Sequence, residues 1–308
     1  MIYDLCIIGG GPCGLTAALY AVRAGLSTIV FCGNLEMKGG LLTKTSIVEN
    51  FPGFPDGILG YDLIENIEKQ CKIQGVISIE KQVKEVNFSK IKGYTHGLKT
   101  DDETEYKCKS VLIATGSTPN KLQLPNEDML WAKGISSCAV CDAPLYKNKK
   151  IVVVGGGDSA MEEALYLSKI SEVLLIHRNE SFRASKIMQE RVFANAKIKV
   201  MFNTKIVKLI GTVKLEAIEI ESDVSIIKQI SVDGLFYGLG LTPNSKLFKE
   251  SGITMNKTGH IQHKDFQTNI SGVFVSGDVT DEKYRQAVTA AGDGCKASLE
   301  IIQYLQQF

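Results

Sequence analysis

The sequence predicts an α/β fold of two Rossmann-like dinucleotide-binding domains, the second inserted in the first. Three observations predict it. A glycine-rich turn, Gly9-Gly10-Gly11-Pro12-Cys13-Gly14, follows a strand-like run at the start of the chain, and Gly155-Gly156-Gly157-Asp158-Ser159-Ala160 follows another near its middle. Two glycine-rich breaks, Thr115-Gly116-Ser117-Thr118-Pro119 and Gly238-Leu239-Gly240-Leu241-Thr242-Pro243-Asn244, bracket about 125 residues around the second turn. Past the second break, a short strand and a long helix resume the first pattern, and 308 residues suffice for two cores.

Residues 3–8 read as a buried parallel strand, 12–24 as a helix carrying Ala17, Ala18, Leu19 and Val22, and 27–32 as a β-branched strand, which together make a βαβ unit. From about Val76 to Ile113, polar and apolar residues alternate around the turn signals Lys92-Gly93 and Asp101-Asp102, which predicts antiparallel strands ending in Val111-Leu112-Ile113-Ala114. The βαβ pattern recurs with strand 150–154, helix 159–169 and strand 173–176. Gly272 to Asp278 reads as one more strand and a sharp turn, and Tyr284 to about Gln306 as the closing helix. The doubly connected middle block reads as an inserted domain on a hinge.

A GxG turn between strand and helix lets backbone approach a pyrophosphate, and the helix N-terminus offers unpaired N–H groups and a favourable dipole. Gly9, Gly11 and Gly14 fit the first site; Gly155, Gly157 and Ala160 fit the second, with Ala160 in place of the third glycine. The strand after the first turn ends at Phe31-Cys32 without a carboxylate for a ribose, and the nearest is Glu36. After the second turn the corresponding strand ends at Ile176-His177-Arg178, with Arg183 five residues on. Basic residues there suit a 2′-phosphate and favour NADP over NAD; the alternative is two solvated arginines.

Cys138-Ala139-Val140-Cys141-Asp142 is the one paired set among eight cysteines. A CxxC brings two sulfurs within bonding range, and such motifs lower a thiol pKa so that a thiolate can attack a disulfide. Half a zinc site or two core cysteines are the alternatives, but the four histidines and remaining cysteines offer no second CxxC or HxxxH, so no metal is expected. Asp142 reads either as a proton donor to a leaving thiolate or as a turn cap. Cys6, Cys13, Cys32, Cys71, Cys108 and Cys295 read as small buried hydrophobes.

Net charge is +1, from 35 basic and 34 acidic residues interspersed, which advertises no face for nucleic acid or anionic membrane. Met1 leads straight into an apolar strand without signal-peptide features, and no run approaches the ~20 apolar residues of a membrane span, so a soluble cytoplasmic protein is expected.

With these motifs assembled, the chain closely resembles low-molecular-weight thioredoxin reductases, homodimeric flavoproteins of the pyridine nucleotide-disulfide oxidoreductase class. The likeness runs end to end through Gly9 to Gly14, Val48-Glu49-Asn50-Phe51-Pro52-Gly53, Ala114-Thr115-Gly116, the CxxCD, Gly155 to Glu163, His177-Arg178, Phe182-Arg183-Ala184, Gly277-Asp278-Val279 and Tyr284-Arg285-Gln286-Ala287. The resemblance implies an FAD domain of residues 1–116 and 245–308 and an NADPH domain of residues 117–244 carrying the CxxC. FAD would be held by Gly9, Gly11, Pro12, Gly14, Gly39, Gly40, Leu41, Asn50, Asp278, Arg285, Gln286 and Ala287. NADPH would be held by Gly155, Gly157, Asp158, Ser159, Ala160, Glu163, His177, Arg178 and Arg183. By family role Cys141 faces the flavin, Cys138 attacks the disulfide of thioredoxin or a thioredoxin-like protein, and Asp142 is the acid. The family also rotates its NADPH domain, in keeping with the double connection.

The chain departs from the family pattern in places. Asn179 follows Arg178 where bacterial members usually carry a second arginine, which softens the expected NADPH preference and leaves room for NADH at lower affinity. Leu41 replaces the usual glutamine near the flavin, and Val140 the usual threonine. The chain ends without a thioredoxin-like domain, so a separate acceptor is expected. The expected function is thioredoxin-disulfide reductase. The alternatives are the same scaffold fed by ferredoxin or discharging to oxygen, against which Arg178 and Arg183 argue, and a non-catalytic FAD redox sensor, against which the CxxCD argues.

Overall fold

The computed structural model describes residues 1–33, 38–45, 47–91, 93–222 and 227–307; Glu36 and Lys92 lie outside them. The chain divides into two compact units, 1–118 with 242–308, and 119–241.

In the first unit, β1 (Ile2–Ile8), α1 (Pro12–Arg23) and β2 (Thr28–Phe31) form the opening βαβ unit, with β1 parallel to β2. A small antiparallel pair follows, β3 (Ile47–Val48) with β4 (Ile58–Leu59), then α2 (Gly60–Ile73). The strands β5 (Ile77–Ile79), β6 (Val83–Asn87), β7 (His96–Thr100) and β8 (Glu105–Ile113) complete a sheet ordered β5-β2-β1-β8-β7-β6. Two of these strands differ from the sequence expectation of an antiparallel set. β5 pairs parallel with β2 at the sheet edge, and β8 has two partners along one edge. Its first half pairs antiparallel with β7, while Val111–Ile113 pair parallel with the strand Val273–Val275 supplied by the far end of the chain. The burial of β8 changes accordingly, from alternating to four consecutive buried residues, because a parallel stretch covered on both faces has no solvent side.

Alternate residues of β1 feed two cores. Leu5 and Ile7 pack with Leu15, Ala18, Ala297 and Ile301 on the helical face, and Cys6 and Ile8 pack with Phe248, Val273 and Val275 on the other. The closing helix begins at Ala287, not Tyr284. Arg285 has φ 30°, and Gln286 is an extended N-cap whose side chain completes a capping box with Thr289.

The chain enters the second unit through β9 (Ser117–Pro119) and leaves through β18 (Leu241–Pro243), which pair with each other. After α3 (Glu127–Leu130) come β10 (Ile135–Ser136), α4 (Ala139–Asp142), β11 (Ile151–Gly155), α5 (Asp158–Leu167), β12 (Val173–Ile176), α6 (Lys186–Phe193) and β13 (Ile198–Met201). With β17 (Gly234–Gly238) the strands form a parallel sheet ordered β10-β17-β11-β12-β13. An antiparallel sheet of β14 (Thr204–Ile210), β15 (Ala217–Ser222) and β16 (Ile227–Ser231) covers one face through Ile206, Ile218 and Ile220. The other face carries α5, α6 and the turn of Ala139 and Ala143. The CxxC is thereby fixed on the same side of the sheet as the helix that follows the second glycine turn. The strand Val273–Val275 and the helix Ala287–Leu305 are β19 and α7. Among the described residues no helix is long and apolar enough to cross a membrane.

Candidate active site

Cys138 and Cys141 are joined as a disulfide, with Cα atoms 5.3 Å apart. The extended Cys138 is the N-cap of α4, and the Cys141 N–H donates to Cys138 Sγ at 3.2 Å. The Cys138 N–H donates to Ser136 Oγ at 3.0 Å, which ties the first cysteine to the end of β10. Ala139 turns inward and is 2% exposed, whereas Val140 is 52% exposed, so one side of the turn is anchored and the other faces solvent. Tyr146, in the turn after α4, sets its ring edge-on against Phe236 at 5.2 Å, and burial pushes its hydroxyl up to about 12, with Asp142 and Asp233 adding to the shift.

Glu163 completes this arrangement. Its Oε2 accepts the Ala139 N–H at 3.2 Å, and burial pushes its carboxyl up to about 7. The Ala139 hydrogen bond opposes that rise, and the neighbouring charges of Asp142 and Glu162 reinforce it. Motif reading groups Glu163 with the nucleotide fingerprint; the fold also sets it against the dithiol turn. A contact between residues 24 positions apart on separate elements leaves no spacing signal in the sequence.

The first glycine turn is shaped by close approach. Gly9 has φ 125°, and a Cβ there would lie 2.1 Å from the Ala114 carbonyl oxygen. A Cβ on Gly14 would lie 1.9 Å from Gly9 O, while one on Gly11 would have room, with only Gly39 O in ordinary contact at 3.7 Å. Pro12 occupies the first turn of α1, no side chain caps that helix, and no acidic residue stands in its first turn. An open, uncapped helix start of 12 residues fits a pyrophosphate. Around it the fold gathers other expected residues. Asn50 Nδ2 donates to Gln286 Oε1 at 3.1 Å, across 236 residues of chain, and Ser117 Oγ donates to Asp278 Oδ2 at 3.2 Å. Burial raises the Asp278 carboxyl against the opposing pull of Ser117 and Arg285. Gly39 and Gly40 are left-handed and open the short 3-10 turn that holds the partly buried Leu41. Ala287 starts α7.

At the second turn Gly157 faces open space, while Ala160 packs against Gly155 and against Gly238 of β17. Asp158 Oδ1 accepts from the Ser185 N–H and hydroxyl at 2.9 and 2.8 Å, which lowers its pKa. The Arg183 and Ala184 amides both donate to Gly156 O, so the segment after β12 is docked onto the glycine turn beside Ser159. His177 is 5% exposed, its Nε2 lies 3.0 Å from Ser181 O, and its ring fills the space that a Cβ on Gly156 would need. Its polar edge is thus spent inside the protein. Arg178 and Arg183 are exposed, and among the described residues neither forms an ion pair with a carboxylate. Two such guanidinium groups beside an uncapped helix start fit a phosphate ester.

A sequence model of the family described as pyridine nucleotide-disulphide oxidoreductase matches residues 3–294. Thioredoxin reductase 2 of Arabidopsis thaliana is 43% identical, over 98% of this chain and 82% of that protein. The thioredoxin reductase of Streptomyces clavuligerus is 42% identical, over 99% of this chain and 94% of that one. Among solved structures, the thioredoxin reductase from Streptococcus pyogenes MGAS5005 superposes with a TM-score of 0.91 at 35% identity, covering 100% of this chain and 99% of that chain.

Proposed function

The chain belongs to the pyridine nucleotide-disulphide oxidoreductase family and is a thioredoxin reductase; on that premise we propose how its residues divide the work. Membership implies a flavin and NADP(H). In our reading the first unit is the FAD domain, with Gly9, Gly11, Pro12 and Gly14 at the pyrophosphate and Asn50, Asp278, Arg285, Gln286 and Ala287 along the cofactor. The second is the NADPH domain, where Gly155, Gly157, Asp158, Ser159 and Ala160 form the cradle and Arg178 and Arg183 take the 2′-phosphate. His177 positions the arginine segment from beneath. The observation that carries this division is the disulfide held in a half-exposed turn on the same sheet face as an uncapped glycine cradle.

FAD, when bound, turns a hydride into an electron pair that a disulfide accepts. The chain's own part is thiol chemistry. Two electrons and two protons open Cys138–Cys141 to the dithiol; the Cys138 thiolate attacks one sulfur of the acceptor's disulfide, and Asp142 gives a proton to the sulfur that leaves. Cys141 then attacks Cys138 Sγ, which restores the disulfide and releases the acceptor as a dithiol. The acceptor is a separate thioredoxin-like protein and the enzyme is a homodimer. The dimer reading draws on exposed ring and side-chain surface along the first unit's helices, Tyr20 of α1 and Leu299 of α7.

Anaerobic titration of the purified protein with NADPH and with NADH, read at the flavin absorbance, tests the reading. NADPH is expected to bleach the flavin at the lower concentration. A yellow protein that neither nucleotide bleaches would sink it.

A further inference from the structure

Glu163 touches the dithiol turn at the Cys138–Ala139 peptide, one residue before the solvent-facing Val140. Ala139, which donates that N–H, is buried. The carboxylate projects from α5, whose start is wedged against the sheet where Ala160 meets Gly155 and Gly238, so it is presented by a rigid element. The groups facing it are acidic: Asp142 from α4 and Glu162 from its own helix. Strands β11, β12 and β17 and helix α6 contribute Val153, Leu175, Phe236 and Val192 to the apolar core in which Ala139 is buried, and Tyr146 feels the same Asp142. Among the described residues no lysine, arginine or histidine forms an ion pair with Glu163. A carboxylate among like charges and without a cation takes a proton when another negative charge forms beside it.

We propose that Glu163 is a positioning residue of the dithiol, which holds the Cys138–Ala139 peptide against α5 and takes up one proton when the disulfide is reduced to a thiol and a thiolate. The balance is two electrons, supplied by NADPH in the proposed reaction, and two protons, one to a cysteine sulfur and one to the Glu163 carboxylate, as the Cys138–Cys141 bond breaks. Burial already raises the Glu163 carboxyl to about 7 with the disulfide closed, and a thiolate drives it higher. The inference rests on the reading that this pair carries the electrons.

The test equilibrates the holoenzyme with mixtures of reduced and oxidised dithiothreitol between pH 7.5 and 8.5, quenches in acid and counts alkylated Cys138 and Cys141. Dithiothreitol itself exchanges two protons with its two electrons in this range. The wild-type ratio of reduced to oxidised pair is therefore expected to stay flat, whereas in Glu163→Gln it should rise about tenfold per pH unit, equivalent to ~30 mV for a two-electron couple. Amide exchange over residues 137–143 reads the positioning part. Exchange should stay slow in Glu163→Gln, which keeps an acceptor, and quicken in Glu163→Ala. A wild-type pair that NADPH leaves unlabelled overturns the reading of the pair and this inference with it. A pair that NADPH does reduce, with the same pH response in wild type and Glu163→Gln, overturns the inference alone, as does unchanged exchange in Glu163→Ala.

Discussion

The two glycine turns share one local design and differ in where the space for close packing is found. In the first unit that space is local, because the third position must be Gly14, whose Cβ would collide with Gly9 O. The next contact outward is also relieved by a glycine, since a Cβ on Gly294 of α7 would lie 2.1 Å from Cys13 O. In the second unit the third position is Ala160, and the missing side chain is on the neighbouring strand: a Cβ on Gly238 would lie 2.5 Å from Ala160 Cα. A fingerprint read along the chain therefore records a requirement for room, and the fold decides which residue meets it.

The largest expected effect breaks this symmetry directly. Gly14→Ala should cost more than ~3 kcal/mol and leave a protein that purifies without flavin, because backbone must move. Ala160→Gly should cost only about 1 kcal/mol through helix propensity. Thermal denaturation and flavin content measure both, and equal losses would refute the distinction.

Acid should weaken both units next. His96, 1% exposed in the first unit, is lowered by burial from 6.5 to about 4, against a weaker opposing hydrogen bond from Ser271. The unfolded chain binds its proton first as pH falls, so stability is complete above about pH 6.5 and is lost toward pH 4, by up to ~3 kcal/mol. Burial lowers His177 of the second unit in the same direction. Urea unfolding at pH 7.5 and 4.5 should show a smaller acid loss in His96→Gln than in wild type.

Two smaller effects concern nucleotide choice, which our reading assigns to the second turn. Arg178→Ala should weaken NADPH by about 1.5–3 kcal/mol, or roughly ten- to a hundredfold, with little change for NADH or for bound flavin. Asn179→Arg should tighten NADPH selectively and by less, as its exposed site allows. Titration of each variant with both nucleotides checks the pair, and an equal response to both would place position 179 away from the 2′-phosphate.

Legibility followed the range of the interactions. The two βαβ units were readable because strand, turn and helix lie next to one another and their periodicities change within a few residues. The pairing of β5 with β2 was not, because a three-residue strand looks the same beside either kind of neighbour. β8 was half readable, since its alternating first half reports β7 while its apolar second half needs β19 from residue 273 onward. The closing helix was placed three residues early because the left-handed backbone at Arg285 has no side-chain signature. At the site, the CxxC and both glycine turns are local and were readable. The burial of His177, the Asn50–Gln286 contact and the Glu163 hydrogen bond to Ala139 join distant residues and were not.

The amino-acid sequence by itself determined the two dinucleotide turns, the cysteine pair and the insertion of one unit in the other, because each is written in neighbouring residues whose backbone demands are local. Only the tertiary structure decided which glycine relieves each close approach, which histidine is spent beneath the arginine segment and which carboxylate meets the dithiol turn. Those outcomes depend on excluded volume and desolvation between segments far apart in the chain, and neither quantity exists until the sheet has brought them together.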